Sequence, residues 1–315
     1  MVISNTLPWL NILRMHAPHL AVVFAVALGL YLADALLGVR VPFSPTPFSI
    51  VGVALAILLG FRNNASYDRW WEGRKLWGGI VNASRALARQ TTTLLEPGVA
   101  EPTSGAAPGD DTLAAALKRE ILYRQIAYVH ALRAVLRQQN ALEGLAPFLP
   151  ADELAALAQQ KNVPVALMQT NGERLAFARR AGLLSEERLL RIDATLVDLI
   201  GLQGGCERIK NTPIPAGYRV FTHRSVRAYC YVLPFGLVEH LGALTTIVVM
   251  AVTLMFLVLD TIGRFLEDPF TTGPNALPLM SITRNIEINL RQALGETDLP
   301  PAITPTTNGK ISILL

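Results

Sequence analysis

Between Leu241 and Leu259 the chain runs nineteen residues without a charged side chain. A stretch of about twenty apolar residues matches the thickness of a bilayer's hydrocarbon, and a helix is the conformation that satisfies its own backbone there. A membrane-crossing helix is therefore the frame into which the rest of the chain must fit. Composition agrees: 51% of the 315 residues are hydrophobic and only 17% are charged, where a soluble domain carries about 25%.

Leu20 to Leu37 reads as a first span, interrupted by Tyr31 and Asp34. A second starts at Phe48 and runs into Phe61, with Thr46 as its N-cap and Pro47 at the first helical position. Tyr229 to Val238 is shorter and contains Pro234. Flanked by Arg224 and Arg227 on one side and Glu239-His240 on the other, it reads as the hairpin partner of the long uncharged run. The expectation is an all-α polytopic membrane protein with four transmembrane helices. An even number puts both termini on one side. Arg14, Arg62, Arg69, Arg74, Lys75, Arg224, Arg227 and Arg264 gather there, whereas the opposite loops carry Arg40, so that side is cytoplasmic.

This divides the chain into an N-terminal segment with two spans (1–61), a helical cytoplasmic domain (62–222), a second pair of spans (223–265) and a cytoplasmic C-terminal segment (266–315). The helical reading of the second part rests on the spacing of Leu113, Leu117, Ile121, Ile126, Val129, Leu132 and Leu136. Between Glu96 and Asp111 the chain turns to Pro, Gly and acidic residues, which predicts a flexible connection. Cys206 and Cys230 lie in dissimilar settings, one polar and Gly-rich and one apolar, and are not expected to pair.

Several function classes fall away. The basic residues are scattered beside apolar spans, not gathered with aromatics into the footprint of a nucleic-acid binder. His16, His19, His130, His223 and His240 form no metal-ligand or HExxH spacing, and no nucleophile elbow or phosphate-binding loop occurs. No enzymatic constellation is expected.

What stands out is the second span. Val53, Ile57 and Phe61 recur every four residues, which aligns them on one helix face. Several copies around an axis would turn each position into an apolar ring, the construction of a hydrophobic gate. Apolar stripes usually mean packing, so spacing alone leaves both readings open. The helix then enters the polar FRNNASYDRWWEGRKLWG, whose charges fit a solvated face and whose Trp70, Trp71 and Trp77 suit an interface or a packed junction.

That segment belongs to a set. PFSIVGVALAILLGFRNNASYDRWWEGRKLWG from Pro47 to Gly78, GCERIKNTPIP from Gly205 to Pro215 and LEDPF from Leu266 to Phe270 resemble the bacterial branch of the bestrophin family. LPL at Leu277 to Leu279 and RNIE at Arg284 to Glu287 follow in the family's order. The resemblance implies a homopentameric ion channel of the bacterial inner membrane, its partners being copies of itself, monovalent ions and lipid, without cofactor. The family's pore neck falls on Val53, Ile57 and Phe61. Its cytoplasmic aperture, usually aliphatic, falls on Glu187 with Arg188 one step away. A ring of glutamates favours cations and a ring of arginines anions, and the expectation taken is Glu187 and cations, as in bacterial relatives. A chloride-selective channel and a non-conducting membrane scaffold are the alternatives. The acidic run that holds calcium in animal members is missing from EDPFTTGPNALPL, so no metal is expected.

Overall fold

Ser44 begins the helix around which the molecule is organised. Its hydroxyl accepts from the Thr46 amide at 3.3 Å, and Pro45 takes the first helical position. The N-cap is therefore Ser44, two residues ahead of the expected Thr46. Pro45 already supplies the fixed backbone angle of a first helical residue, so Thr46 lies inside the first turn. The computed structural model describes residues 9–39, 42–103, 107–273, 275–308 and 311–313, and Arg40 of the charge-asymmetry argument lies outside them.

Helix α1 (Trp9–Leu37) precedes α2 (Pro45–Leu94), which continues for 50 residues from apolar into polar sequence. Then come α3 (Asp111–Leu136), α4 (Ala151–Leu157), α5 (Val163–Arg180) and α6 (Glu186–Asn211). Helices α7 (Ala216–Leu241), α8 (Leu244–Glu267) and α9 (Leu279–Ala293) complete the set. A small antiparallel hairpin, β1 (Thr306–Asn308) and β2 (Ile311–Ile313), follows.

Two cores form, strung along α2. One joins α1, the first half of α2, α7 and α8 through Leu20, Val23, Leu59, Val226, Leu233 and Phe256. The other wraps α3 with the second half of α2, α5, α6 and α9 through Trp77, Leu87, Ile121, Tyr128, Leu167 and Leu199. Helix α2 passes from one to the other without a break, so the boundary drawn at 61/62 falls inside an element. α7 likewise runs through 222/223. Among the described residues three helices, Asn11–Leu37, α2 and α8, are long and apolar enough to cross a membrane. α7 is as long as α8 but carries Arg219, Arg224 and Arg227 in its first half, and it packs against α1, α2 and α8.

α2 and α6 approach closely because glycine leaves room on each. Leu76 of α2 lies over Gly205, where an added Cβ would meet its methyl at 2.8 Å, and Leu202 of α6 lies over Gly79 at 2.7 Å. The predicted flexible connection is pinned over its described part. The amides of Glu96, Ala100, Thr103 and Gly109 donate to the carbonyls of Leu183, Gly182, Arg180 and Ala181 at 2.8–3.3 Å. Composition signalled a turn-rich path but could not show a partner segment, the stretch between α5 and α6, that absorbs its backbone donors. Cys206 and Cys230 are both free and buried. Burial pushes the Cys206 thiol up to about 12, which keeps it protonated and inert.

Candidate ion pathway and the junction beneath it

On α2 the side chains divide by face. Leu55 and Leu59 are buried against α7 and α8, while Val53, Ile57 and Phe61 are 61%, 55% and 68% exposed. Ile50, three residues before Val53, extends the stripe at 65%. The protomer thus leaves an apolar line of four side chains uncovered, although α2 has a buried face of its own. No nearby charge accompanies that line until Arg62, and Arg62 turns the other way.

Arg62 is 1% exposed and reaches α8. Its guanidinium donates to the Asp260 carboxylate and to the Asp260 carbonyl, each at 2.7 Å. His223 of α7 places Nδ1 2.7 Å from the other carboxylate oxygen, and Arg264 lies at 3.4 Å. A buried carboxylate is thereby shared by three basic side chains from α2, α7 and α8, the arrangement such a charge requires in a low-dielectric site. Beside it, Asn63 donates to the Leu259 carbonyl, and Gly263 lies so close to Asn63 and Arg62 that no side chain fits. His16 meets Thr261 at 3.1 Å and His19 meets Tyr231 at 2.7 Å, tying α1 to the same level. The residue that follows the exposed stripe is consequently anchored to α8, which α7 and α1 meet nearby through His223 and His16.

Two turns further along α2, the separate sequence blocks converge. Arg69 donates to the carbonyls of Ile209 and Thr212 at 2.6 and 2.7 Å and to that of Glu267 at 3.1 Å. Helix ends leave their last carbonyls without partners, and one guanidinium caps both α6 and α8. Lys210 pairs with Asp268 at 2.7 Å, Arg219 with Glu267 at 3.5 Å, and Arg208 with Glu72 at 2.7 Å. The indole of Trp70 donates to the Asn275 carbonyl at 2.8 Å, while Trp77 is fully buried in the lower core. Glu72, read from sequence as a solvated-face residue, makes its ion pair to α6 at the exposed surface. Glu267 and Asp268 are occupied by cationic side chains, and no cluster of three metal-ligating side chains occurs among the described residues.

Glu187 and Arg188 stand apart from the stripe, in the first turn of α6. Ser185 caps that helix by accepting from the Arg188 amide at 3.3 Å. Glu187 is exposed, whereas Arg188 turns back to the Leu94 carbonyl at 2.9 Å and the Glu96 carboxylate at 3.4 Å. Since Arg188 touches the end of α2, the two sets lie at opposite ends of that helix's polar half, about 50 Å apart at roughly 1.5 Å per residue. The Asp260 cluster was not visible as a site in the sequence. The available signal was an acidic residue immediately after the longest uncharged run, where an intramembrane carboxylate implies a partner.

A family profile described as Bacterial/Fungal Bestrophin protein matches residues 10–292. A voltage-dependent anion channel-forming protein of Ralstonia nicotianae is 38% identical over 92% of this chain and 90% of its own length. The protein of that description from Escherichia coli strain K12, YneE, is 40% identical over 85% of this chain and 82% of its own. A crystal structure of a bacterial bestrophin homolog from Klebsiella pneumoniae superposes with a TM-score of 0.79 at 30% identity, covering 89% of this chain and 99% of that one. Profile, relatives and fold agree with the convergence of the three sequence blocks around Arg69, and the chain belongs to the bacterial and fungal bestrophin family of membrane proteins.

Proposed function

We propose that the chain is the subunit of a homopentameric channel of the bacterial inner membrane that passes monovalent ions along an axis lined by α2. The observation that carries this reading is the uncovered stripe of Val53, Ile57 and Phe61 on a helix that packs on its neighbours through Leu55 and Leu59 instead. Channel naming among the relatives supports conduction as the activity. Four spans, with α7 as the third, place both termini and the second core in the cytoplasm, where α3, α5, α6 and the lower half of α2 surround a vestibule.

In this reading three stacked apolar rings form the neck. Apolar side chains cannot replace an ion's hydration shell, so the closed neck blocks by narrowness and drying, and conduction requires the helices to part. The Arg62–Asp260 pair fixes α2 just below Phe61. Opening then moves the upper part of α2 about a held point. At the far end of the vestibule Glu187 presents an unpaired carboxylate in each subunit, while Arg188 is engaged within its own chain. A ring of carboxylates concentrates cations, so cations are the preferred ions. The relatives' description as anion channel-forming proteins favours a second reading, in which anions carry the current through the same pathway.

Planar-bilayer recording of the purified protein in asymmetric NaCl separates the two by the sign of the reversal potential. The expected sign is that of cation selectivity, reduced towards zero in Glu187→Gln and unchanged in Arg188→Gln. An anion-selective reversal untouched by Glu187→Gln would establish the second reading, and absence of current in every condition would leave only a scaffold.

A further inference from the structure

A cavity of about 440 Å³ lies in the cytoplasmic part of the molecule, between α3, α9 and the connection from α3 to α4, far from the α2 stripe. Volumes of this size hold small molecules. The walls include Arg133 and His130 from α3, Arg284, Glu287 and Arg291 from α9, and Glu143 from the connection. Three arginines therefore face two glutamates.

The carboxylates are largely used up. Glu287, 5% exposed, lies 3.3 Å from His130, 3.5 Å from Arg284 and 3.8 Å from Arg291. Arg291 is further engaged by Glu296 at 2.6 Å, and Glu143 is exposed. The cations are less fully used. Nε of Arg133 is shielded from solvent and makes no hydrogen bond, and Nε of Arg284, shielded as well, has only the Glu287 carboxylate at 3.5 Å. A buried N–H without an acceptor is unfavourable, more so when charged, and in native structures such a group is usually met by a ligand or water. Burial pulls the Arg133 pKa down; Glu143 opposes that and Arg284 adds to it. Arg137, one turn along α3, is held down by burial and by Arg133. Arg133 thus carries a poorly solvated positive charge with no carboxylate in ion-pair contact among the described residues. Phe148, stacked on His130 with ring centroids 5.5 Å apart, closes one side with an apolar wall.

We propose that this cavity binds a small molecule bearing a carboxylate or phosphate group, with Arg133 and Arg284 as its principal contacts. The side edge of a guanidinium, Nε–H with one Nη–H, matches two oxygens of either group. Such an anion supplies the acceptors that the protein withholds. The site is distinct from the ion pathway, and its occupancy does not depend on which ion the channel passes.

The test is isothermal titration calorimetry of the full-length protein in detergent, with sodium phosphate and, separately, succinate, at ionic strength held constant with NaCl. The expected result is saturable binding of at least one of the two, weakened tenfold or more in Arg133→Gln and in Arg284→Gln and unchanged in Lys161→Gln, an exposed control. Which of the two binds identifies the source of the oxyanion. If a Gln variant fails to fold, Arg133→Lys retains the charge without the fork, and binding weakened at an unchanged thermal midpoint supports the same conclusion. No saturable heat with either anion, or affinity undiminished in all folded variants, overturns the proposal.

Discussion

Asp260 shows how one side chain constrains its surroundings. Its carboxylate is 1% exposed and is met by Arg62, His223 and Arg264 from three helices. Removing one partner of a buried pair leaves the other charge uncompensated, at a cost of about 3–5 kcal/mol. Asp260→Asn is therefore expected to lower the thermal midpoint of the purified protein by several degrees or more. Asp68→Asn, an exposed change on α2, should leave it in place. Equal midpoints for both variants would show that the pair is not holding α2. Little of this was legible beforehand, because Arg62 and Asp260 are 198 residues apart and only the fold makes them neighbours. The stripe of Val53, Ile57 and Phe61 was legible, since a spacing of four is a property of one helix. That these side chains stay uncovered, and that Leu55 and Leu59 take up the packing role, required the structure. The orientation of Arg188 towards Leu94 and Glu96 also lay beyond sequence, which favoured Glu187 for the aperture but could not show that Arg188, one step away, turns back onto its own chain.

Among elements, the α2–α6 contact has the most specific chemistry. Leu76 over Gly205 and Leu202 over Gly79 form a reciprocal pair in which each glycine receives a leucine from the other helix. Overpacking such a contact costs about 1–3 kcal/mol. Gly205→Val should lower the thermal midpoint, and Gly204→Ala should leave it unchanged or raise it. The neighbour at 204 has nothing within 4 Å of its Cβ position, and Ala is the better helix former by up to about 1 kcal/mol. Matching losses in the two variants would mean that backbone approach does not explain Gly205. Helix positions were well signalled by periodicity and by the apolar runs, and Leu117, Ile121 and Ile126 are buried in α3 as their spacing required. The continuity of α2 over 50 residues was signalled only weakly, by the lack of Pro between Pro47 and Glu96. The pinning of the segment after α2 was not signalled at all, because hydrogen bonding between two irregular stretches leaves no periodic trace.

For the whole molecule, the uncovered face of α2 is one of several apolar faces the protomer leaves open. Leu244, Ile247 and Met255 of α8 form another, and each must meet lipid or a second copy of the chain. Apolar side chains exposed in a row mark an interaction surface, and closed rotational symmetry lets each copy present the same face to a common axis. Fivefold symmetry is the expected arrangement, checked by averaged projections of purified particles along the axis; any other subunit number would remove the basis for the neck as drawn. The most direct test is single-channel recording of Ile57→Ala beside the unaltered protein, in identical lipid and symmetric NaCl. A smaller side chain in the middle ring lets water persist in the neck, so open probability should rise several-fold. Unchanged open probability and conductance would contradict the assignment of the gate to α2.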